Sequence, residues 1–502
     1  MINREVAASL RDVSFRYMES EEQLRHIDFT LYRGECVVLT GPSGSGKSTL
    51  MRLLNGLIPH FYEGMLEGEI ELFGRSAADL ESWAFSQWTG SVFQDSRSQF
   101  FNAVVQDEMA FSGENIGMQP ELIRERIREL AAELSLENLL ASDVRLLSGG
   151  EKQKVAFAAA RFTMPELLIL DEPSANLDLA AAAGLSRLLS GLKRMGHTLL
   201  LAEHRLYELL PIADRIVYME NGSITASWTP QELLALSDRE REKLGLRSPV
   251  FETESASSGE LRSEGVQNEK ERLCVSGVSA IIPGLRSKAA FEGVSFALRQ
   301  GEIAALSGPN GAGKSTLAKL LCGLLRERSG FVSLSGQQLP ASRRLGRIAF
   351  VMQDSDCQLF ADSVFGELML TREKETEAPA RAEQLLRELG LWELRDRHPA
   401  ALSGGQKQRL AFAAGMMGQP DVLILDEPTS GLDGRSMRSV VRLLHNLAAS
   451  GTAVLVITHD HELMLEACDR LLLLGDGRLQ QDMQVGSRAF AEALNLLREP
   501  AI

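Results

Sequence analysis

The chain is written twice. The decapeptide GPSGSGKSTL at residues 41–50 returns as GPNGAGKSTL at residues 308–317. LSGGEKQKVAFAAA, starting at Leu147, returns as LSGGQKQRLAFAAG from Leu402, and LLILDEPSANLD, ending at Asp178, returns as VLILDEPTSGLD, ending at Asp433. Because the order is preserved, the chain is expected to fold as two like domains. The offset between copies is 267 residues at the paired lysines and 255 at the later aspartates, which predicts loop trimming in the second copy. Residues 248–271 are rich in Ser, Glu and Gly and poor in apolar periodicity, as a solvated linker would be. The expected domains are therefore 1–247 and 272–502.

In both copies a short apolar run (ECVVLT from Glu35, EIAALS from Glu302) feeds a Gly-rich turn. A helical pattern follows at Leu50, Leu53, Leu54 and Leu57, and again at Leu317, Leu320, Leu321 and Leu324. Strand, loop and helix in this order predict α/β domains with largely parallel core sheets. A hydrophobic fraction of 44% over 502 residues suffices for two cores. No apolar run approaches the roughly 18 to 20 residues that span a bilayer, and MINREVAASLRD has no signal-peptide core, so the chain is expected to be neither exported nor membrane-spanning. Five scattered cysteines, none at metal-ligand spacing, predict thiols in a reducing compartment. A net charge of −15 argues against nucleic acid as the main partner. An anionic ligand would need its own binding device.

Such a device is present in each copy. Both satisfy G-x-x-x-x-G-K-[ST] between a strand and a helix. Gly41, Gly44 and Gly46, and Gly308, Gly311 and Gly313, let the backbone turn sharply and aim N–H groups at phosphate oxygens. Ser43, Thr49, Asn310 and Thr316 complete the two loops, and the helix N-terminus adds partial positive charge. Lys47 and Lys314 are expected to meet the β- and γ-phosphates, with the Ser48 and Ser315 hydroxyls on Mg²⁺. Four apolar residues followed by an acid then end a buried strand at Asp171 and at Asp426, which places a carboxylate near that metal. The adjacent Glu172 and Glu427 are candidates to orient or deprotonate the attacking water.

LSGGEKQ and LSGGQKQ carry a family resemblance that covers both halves: the chain resembles a tandem ATP-binding-cassette ATPase. The resemblance implies a β subdomain and a helical subdomain in each half, ATP and Mg²⁺ as cofactors, and two cassettes that close head to tail over two nucleotides. Ser148, Gly149 and Gly150, or Ser403, Gly404 and Gly405, would open a helix whose free N–H groups grip the γ-phosphate from the far side. By the same resemblance Gln94 and Gln353 contact Mg²⁺, His204 and His459 contact the γ-phosphate, and Asp178 and Asp433 meet the other cassette. Tyr17 matches the aromatic that stacks on adenine. The second copy departs here, with Ile282 at that place, which implies weaker nucleotide binding at its site.

VFQDSRSQFF (residues 92–101) and VMQDSDCQLF (residues 351–360) are similar to the ATPases of energy-coupling-factor importers of vitamins and metal ions. SANLD with AEHRL leans toward those for thiamine or its pyrimidine precursor. The implied partners are a transmembrane scaffold and a substrate-capture membrane subunit, at the cytoplasmic face of the membrane. Phe100/Phe101 and Leu359/Phe360 are either a surface for membrane-partner helices or buried core. Two other readings stay open: a fused sugar-importer ATPase, although neither phosphate loop is degraded, and a soluble ribosome-associated double cassette, although the linker is short and acidic.

Overall fold

The structure is a computed structural model that describes residues 5–18, 22–94, 99–175, 177–253, 270–281, 289–372 and 374–499. The chain divides into two compact units, the change in chain order falling between Phe251 and Glu252. Residues 254–269 of the expected linker lie outside the described residues, as does Ile282.

Among the described residues, each unit contains two sheets. In the first, an antiparallel sheet runs Glu22–Tyr32, Val6–Tyr17, Gly64–Leu72, Arg75–Ser76. A six-stranded sheet runs Ser223–Trp228, Arg215–Glu220, Cys36–Thr40, Thr198–Ala202, Leu167–Asp171, Thr89–Val92, and only its first pair is antiparallel. The second unit repeats both. Its mostly parallel sheet runs Arg478–Gln484, Arg470–Gly475, Ile303–Ser307, Ala453–Ile457, Val422–Asp426, Ile348–Val351. The α/β reading with largely parallel cores therefore holds. Cys36–Thr40 and Ile303–Ser307 are buried at every position because both sheet faces are covered, which explains why these strands read as unbroken apolar runs.

A helical part completes each unit. In the first, Val105–Asn115, Pro120–Leu134 and Gly149–Arg161 pack through Met109, Ile123, Ile127, Leu130, Val155 and Phe157. In the second, Val364–Met369, Ala378–Glu388 and Gly404–Met416 close on Leu368, Ala382, Leu386, Leu410 and Ala413.

Two expectations need correction. The helix after each phosphate loop ends earlier than the leucine pattern suggests, at Leu54 and at Leu321. Gly56 and Gly323, at φ +76° and +91°, take the chain out of the helical region, so Leu57 starts a separate short helix and Leu324 is exposed. The trimming of the second copy is also not confined to loops. The offset falls from 267 to 259 between the lysines and the glutamines Gln94 and Gln353, where the first unit carries the extra helix Leu57–His60 and a nine-residue strand against six. It falls to 255 by the signatures, where Pro120–Leu134 has 15 residues and its counterpart Ala378–Glu388 has 11.

Candidate nucleotide sites

The strand order sets the site. With Thr198–Ala202 lying between Cys36–Thr40 and Leu167–Asp171, three carboxyl ends sit side by side. They deliver the phosphate loop, the residues Glu203 and His204, and the pair Asp171 and Glu172 to one sheet edge. The second unit does the same with Ser307, Thr458–His459 and Asp426–Glu427.

The first glycine of each loop is dictated by space. Gly41 has φ +138° and a Cβ there would lie 2.0 Å from the Met219 carbonyl oxygen; at Gly308 (φ +142°) it would lie 1.8 Å from that of Leu474. Lys47 Nζ donates to the carbonyls of Gly41 (2.9 Å) and Pro42 (3.0 Å), and Lys314 Nζ to those of Gly308 (2.5 Å) and Pro309 (3.0 Å). Both ammonium groups are thus curled inside the loop. Burial lowers the Lys47 pKa, opposed by the charges of Glu172 and Asp171. Ser315 Oγ donates to Asp426 Oδ2 at 2.7 Å, and Ser48 makes the equivalent bond to Asp171. Burial raises both aspartate pKa values while these serine bonds oppose it. A hydroxyl beside a carboxylate is a hard-oxygen donor set of the kind that suits Mg²⁺, which takes few protein oxygens and draws the rest from phosphate and water.

Glu172 and Glu427 share a feature invisible in the sequence. Both occupy the left-handed region, at φ 45° and 49°, a costly place for a residue with a side chain. Their N–H groups are fixed by the carbonyls of Ala202 (2.9 Å) and Ile457 (2.8 Å) on the neighbouring strand. Gln94 Nε2 donates to Glu172 Oε2 at 2.8 Å, and His204 Nε2 lies 3.5 Å from Glu172 Oε1. In the second unit His459 Nε2 lies 3.8 Å from Glu427 Oε1, and the Thr458 hydroxyl donates to Glu427 Oε2 at 3.3 Å. Both histidines are buried. Gln353 follows strand Ile348–Val351 as Gln94 follows Thr89–Val92.

Ser148 and Ser403 are the N-caps of Gly149–Arg161 and Gly404–Met416, each in a reciprocal capping box, with Glu151 and Gln406 as partners. Gly150, Gly404 and Gly405, beyond them, are not required by packing inside their own units. A Cβ at Gly404 would meet nothing within 4 Å, and at Gly405 and Gly150 only ordinary contacts at 3.8 Å and 3.5 Å. Asp178 caps the helix Leu179–Arg194 through Ala181 N–H (2.9 Å), and Asp433 directly precedes the helix Gly434–Ala449.

The Tyr17 ring packs edge-on against Phe15 and Tyr62, its hydroxyl lies 3.3 Å from Thr49 Oγ1, and Arg52 donates to it at 3.0 Å. The exposure question at the apolar pairs resolves within each pair. Phe100 and Leu359 pack against the helical cores, whereas Phe101 and Phe360 are both 77% exposed.

Several contributors escaped sequence reasoning. Gln153 and Gln408, at the last position of each LSGG-x-K-Q signature, donate to the carbonyls of Pro173 and Pro428 and so tie the signature helix to the D-E-P turn. Their recurrence in register was the available signal. Glu203, Thr458 and Asp460 were also missed.

A family model described as ABC transporter matches residues 24–175 and 291–430. The chain belongs to this family, and it is an ATPase with two ATP-binding cassettes in tandem. It is 40% identical over 482 residues to a Treponema denticola protein named as an ABC transporter ATP-binding protein, covering 95% of this chain and 96% of that one. It is 36% identical to a Bacillus subtilis protein named for HMP/thiamine import, over 94% of this chain and 91% of that one. Among solved structures it is similar to a chain in a model of ribosome-bound archaeal Pelota and ABCE1, with a TM-score of 0.69 and 24% identity, over 96% of this chain and 80% of that one. That likeness shows the shared fold alone.

Proposed function

We propose that this chain is the energising subunit of an energy-coupling-factor importer for a vitamin, thiamine or its pyrimidine precursor first among them, or for a metal ion. It would act at the cytoplasmic face of the membrane, beneath a transmembrane scaffold and a substrate-capture subunit. Among the described residues no helix is long and apolar enough to cross a membrane, so the membrane path would be made by those partners. The observation that carries this reading is the duplicated presentation of Phe101 and Phe360, each largely exposed just after the glutamine segment of its cassette. Two equivalent apolar projections suit docking to the apolar faces of membrane-subunit helices. The relative named for HMP/thiamine import supports the cargo class.

In the proposed mechanism the two cassettes pair head to tail. Each nucleotide is held by one half's phosphate loop, with Lys47 or Lys314 leaving the loop carbonyls for the β- and γ-phosphates. The other half's signature helix, with its bare glycines, would close on the γ-phosphate. Ser48 with Asp171, and Ser315 with Asp426, would hold Mg²⁺, assisted by Gln94 and Gln353; bound there, the ion would offset charge on the phosphate oxygens. Glu172 and Glu427 orient and deprotonate the attacking water, and His204 and His459 contact the γ-phosphate.

The test is affinity purification of the tagged chain from gently solubilised membranes of its native host, followed by mass spectrometry. Recovery of a transmembrane scaffold with a small capture protein is expected. Recovery of ribosomal proteins instead would overturn the reading.

A further inference from the structure

The two sites differ around the buried histidines His204 and His459 in a way that a position-by-position comparison hides. The second unit reads Thr458-His459-Asp460, and the first reads Glu203-His204-Arg205. In the second unit the buried Asp460 accepts from the Thr429 hydroxyl at 2.6 Å, which joins the turn carrying Glu427 to the segment carrying His459. Asp460 also caps the helix His461–Ala467, its side chain accepting from Leu463 N–H.

In the first unit Arg205 stands at that place, and the following segment forms turns instead of a helix. Without the capping carboxylate the first turn of such a helix loses a partner for its free N–H groups, and Pro211 adds a second break. The carboxylate has not vanished. Glu203, buried at 3% exposure, accepts from Ser174 Oγ (2.6 Å) and Ser174 N–H (3.2 Å) with Oε2, and from the N–H groups of His204 (2.9 Å) and Arg205 (3.3 Å) with Oε1. Ser174 is the counterpart of Thr429, each two residues after its glutamate.

We infer that Glu203 is a positioning residue of the first site: from the place before the histidine it ties the Glu172 turn to the His204 segment, as Asp460 does from the place after it in the second. The extra methylene of glutamate supplies the reach. The exchange has a consequence for the chemistry. Glu427 receives a hydroxyl hydrogen bond from Thr458, but the residue at that place in the first unit is itself an acid. Glu172 is oriented by Gln94. The hydroxyl donor that Thr458 offers Glu427 thus has no counterpart at the place of Glu203, whose carboxylate instead braces the turn that carries Glu172.

This inference rests on the proposed roles of Glu172 and His204, so the experiment keeps the two separable. ATP hydrolysis and fluorescent-nucleotide binding are measured for the full-length chain and for Glu203→Thr, Glu203→Gln, Glu203→Thr/Arg205→Asp and Glu172→Gln. Glu203→Thr is expected to lower kcat to about half or less, removing the first site's share, with the KM for ATP within about twofold of wild type. The double variant rebuilds the second unit's pattern and should recover most of kcat. If Glu203→Thr lowers the thermal midpoint, Glu203→Gln, which keeps the side-chain length and one acceptor oxygen, provides a second reading with a smaller loss of stability, and a reduced kcat is expected there too. Wild-type kcat in the folded Glu203 variants, or no recovery in a folded double variant, would overturn the inference. Undiminished hydrolysis in Glu172→Gln would instead overturn the site assignment on which it rests.

Discussion

Glu108 holds Phe101 in place. The buried Glu108 carboxylate accepts the N–H groups of Phe101 (3.0 Å) and Asn102 (2.7 Å) through Oε2, while the Phe101 ring stands in solvent and stacks on Phe111. Glu367 does the same for Phe360 and Ala361, at 2.8 Å each. An inward acid thus fixes the backbone from which each outward aromatic projects.

Replacing Glu108 or Glu367 with Ala strands two backbone donors. Each change should cost about 1 to 3 kcal/mol, read as a lower urea midpoint, and should weaken co-purification with the membrane partner. The glutamine variants keep an acceptor oxygen and should lose less on both counts. Partner recovery unaffected by loss of either clamp would separate these aromatics from docking.

Tyr17 lies along the phosphate-loop helix with its hydroxyl bonded by Arg52. On the proposal that its ring stacks on adenine, Tyr17→Ala should weaken nucleotide binding at the first site by about 1 kcal/mol, or roughly fivefold. Tyr17→Phe keeps the ring and should stay within about twofold of wild type. Titration with a fluorescent nucleotide distinguishes the two variants.

Burial pushes the Cys36 thiol up from its ordinary 9.0 to about 12. Below pH 9 both folded and unfolded chains hold this proton, so it contributes no pH dependence. Between about pH 9 and 12 the unfolded chain releases the proton and the folded one keeps it, so stability falls by up to about 1.4 kcal/mol per pH unit. Cys36→Ala should lower stability at neutral pH and make the alkaline decline shallower, as denaturant melts across this range would reveal. Alkylation of the native chain at pH 7.5 should modify the exposed Cys357 ahead of the buried Cys36, Cys322 and Cys468.

The signature serines serve the fold as well as the proposed chemistry. Ser148→Ala removes a cap and should cost about 1 kcal/mol along with ATP turnover. Glu151→Ala breaks the same capping box from its other side while leaving the Ser148 hydroxyl in place. It should reproduce the stability loss with a smaller effect on turnover; equal losses of turnover would reduce the role of Ser148 to capping.

The parts legible in the sequence were those in which local pattern and function coincide. A strand, a glycine turn and a lysine-serine pair announce the phosphate loop, and an apolar run ending in Asp171 announces the metal-side carboxylate. The helix ends were misjudged because Leu57 and Leu324 continue the helical spacing while Gly56 and Gly323 override it through backbone conformation. The left-handed backbone of Glu172 and Glu427 arises from pairing with the neighbouring strand, a long-range cause without a local signature. The role of Glu203 was hidden because the repeat aligns residues by position, whereas a longer side chain delivers the same carboxylate from one place to the other side of the histidine.

On the proposed mechanism both cassettes hydrolyse ATP in service of transport. This is tested most directly by steady-state ATPase activity of the purified transport complex carrying Glu172→Gln, Glu427→Gln or both, with nucleotide binding measured in parallel. Each single change is expected to cut turnover strongly and the double change to abolish it, while every variant still binds ATP. Full turnover in either single variant would contradict that mechanism.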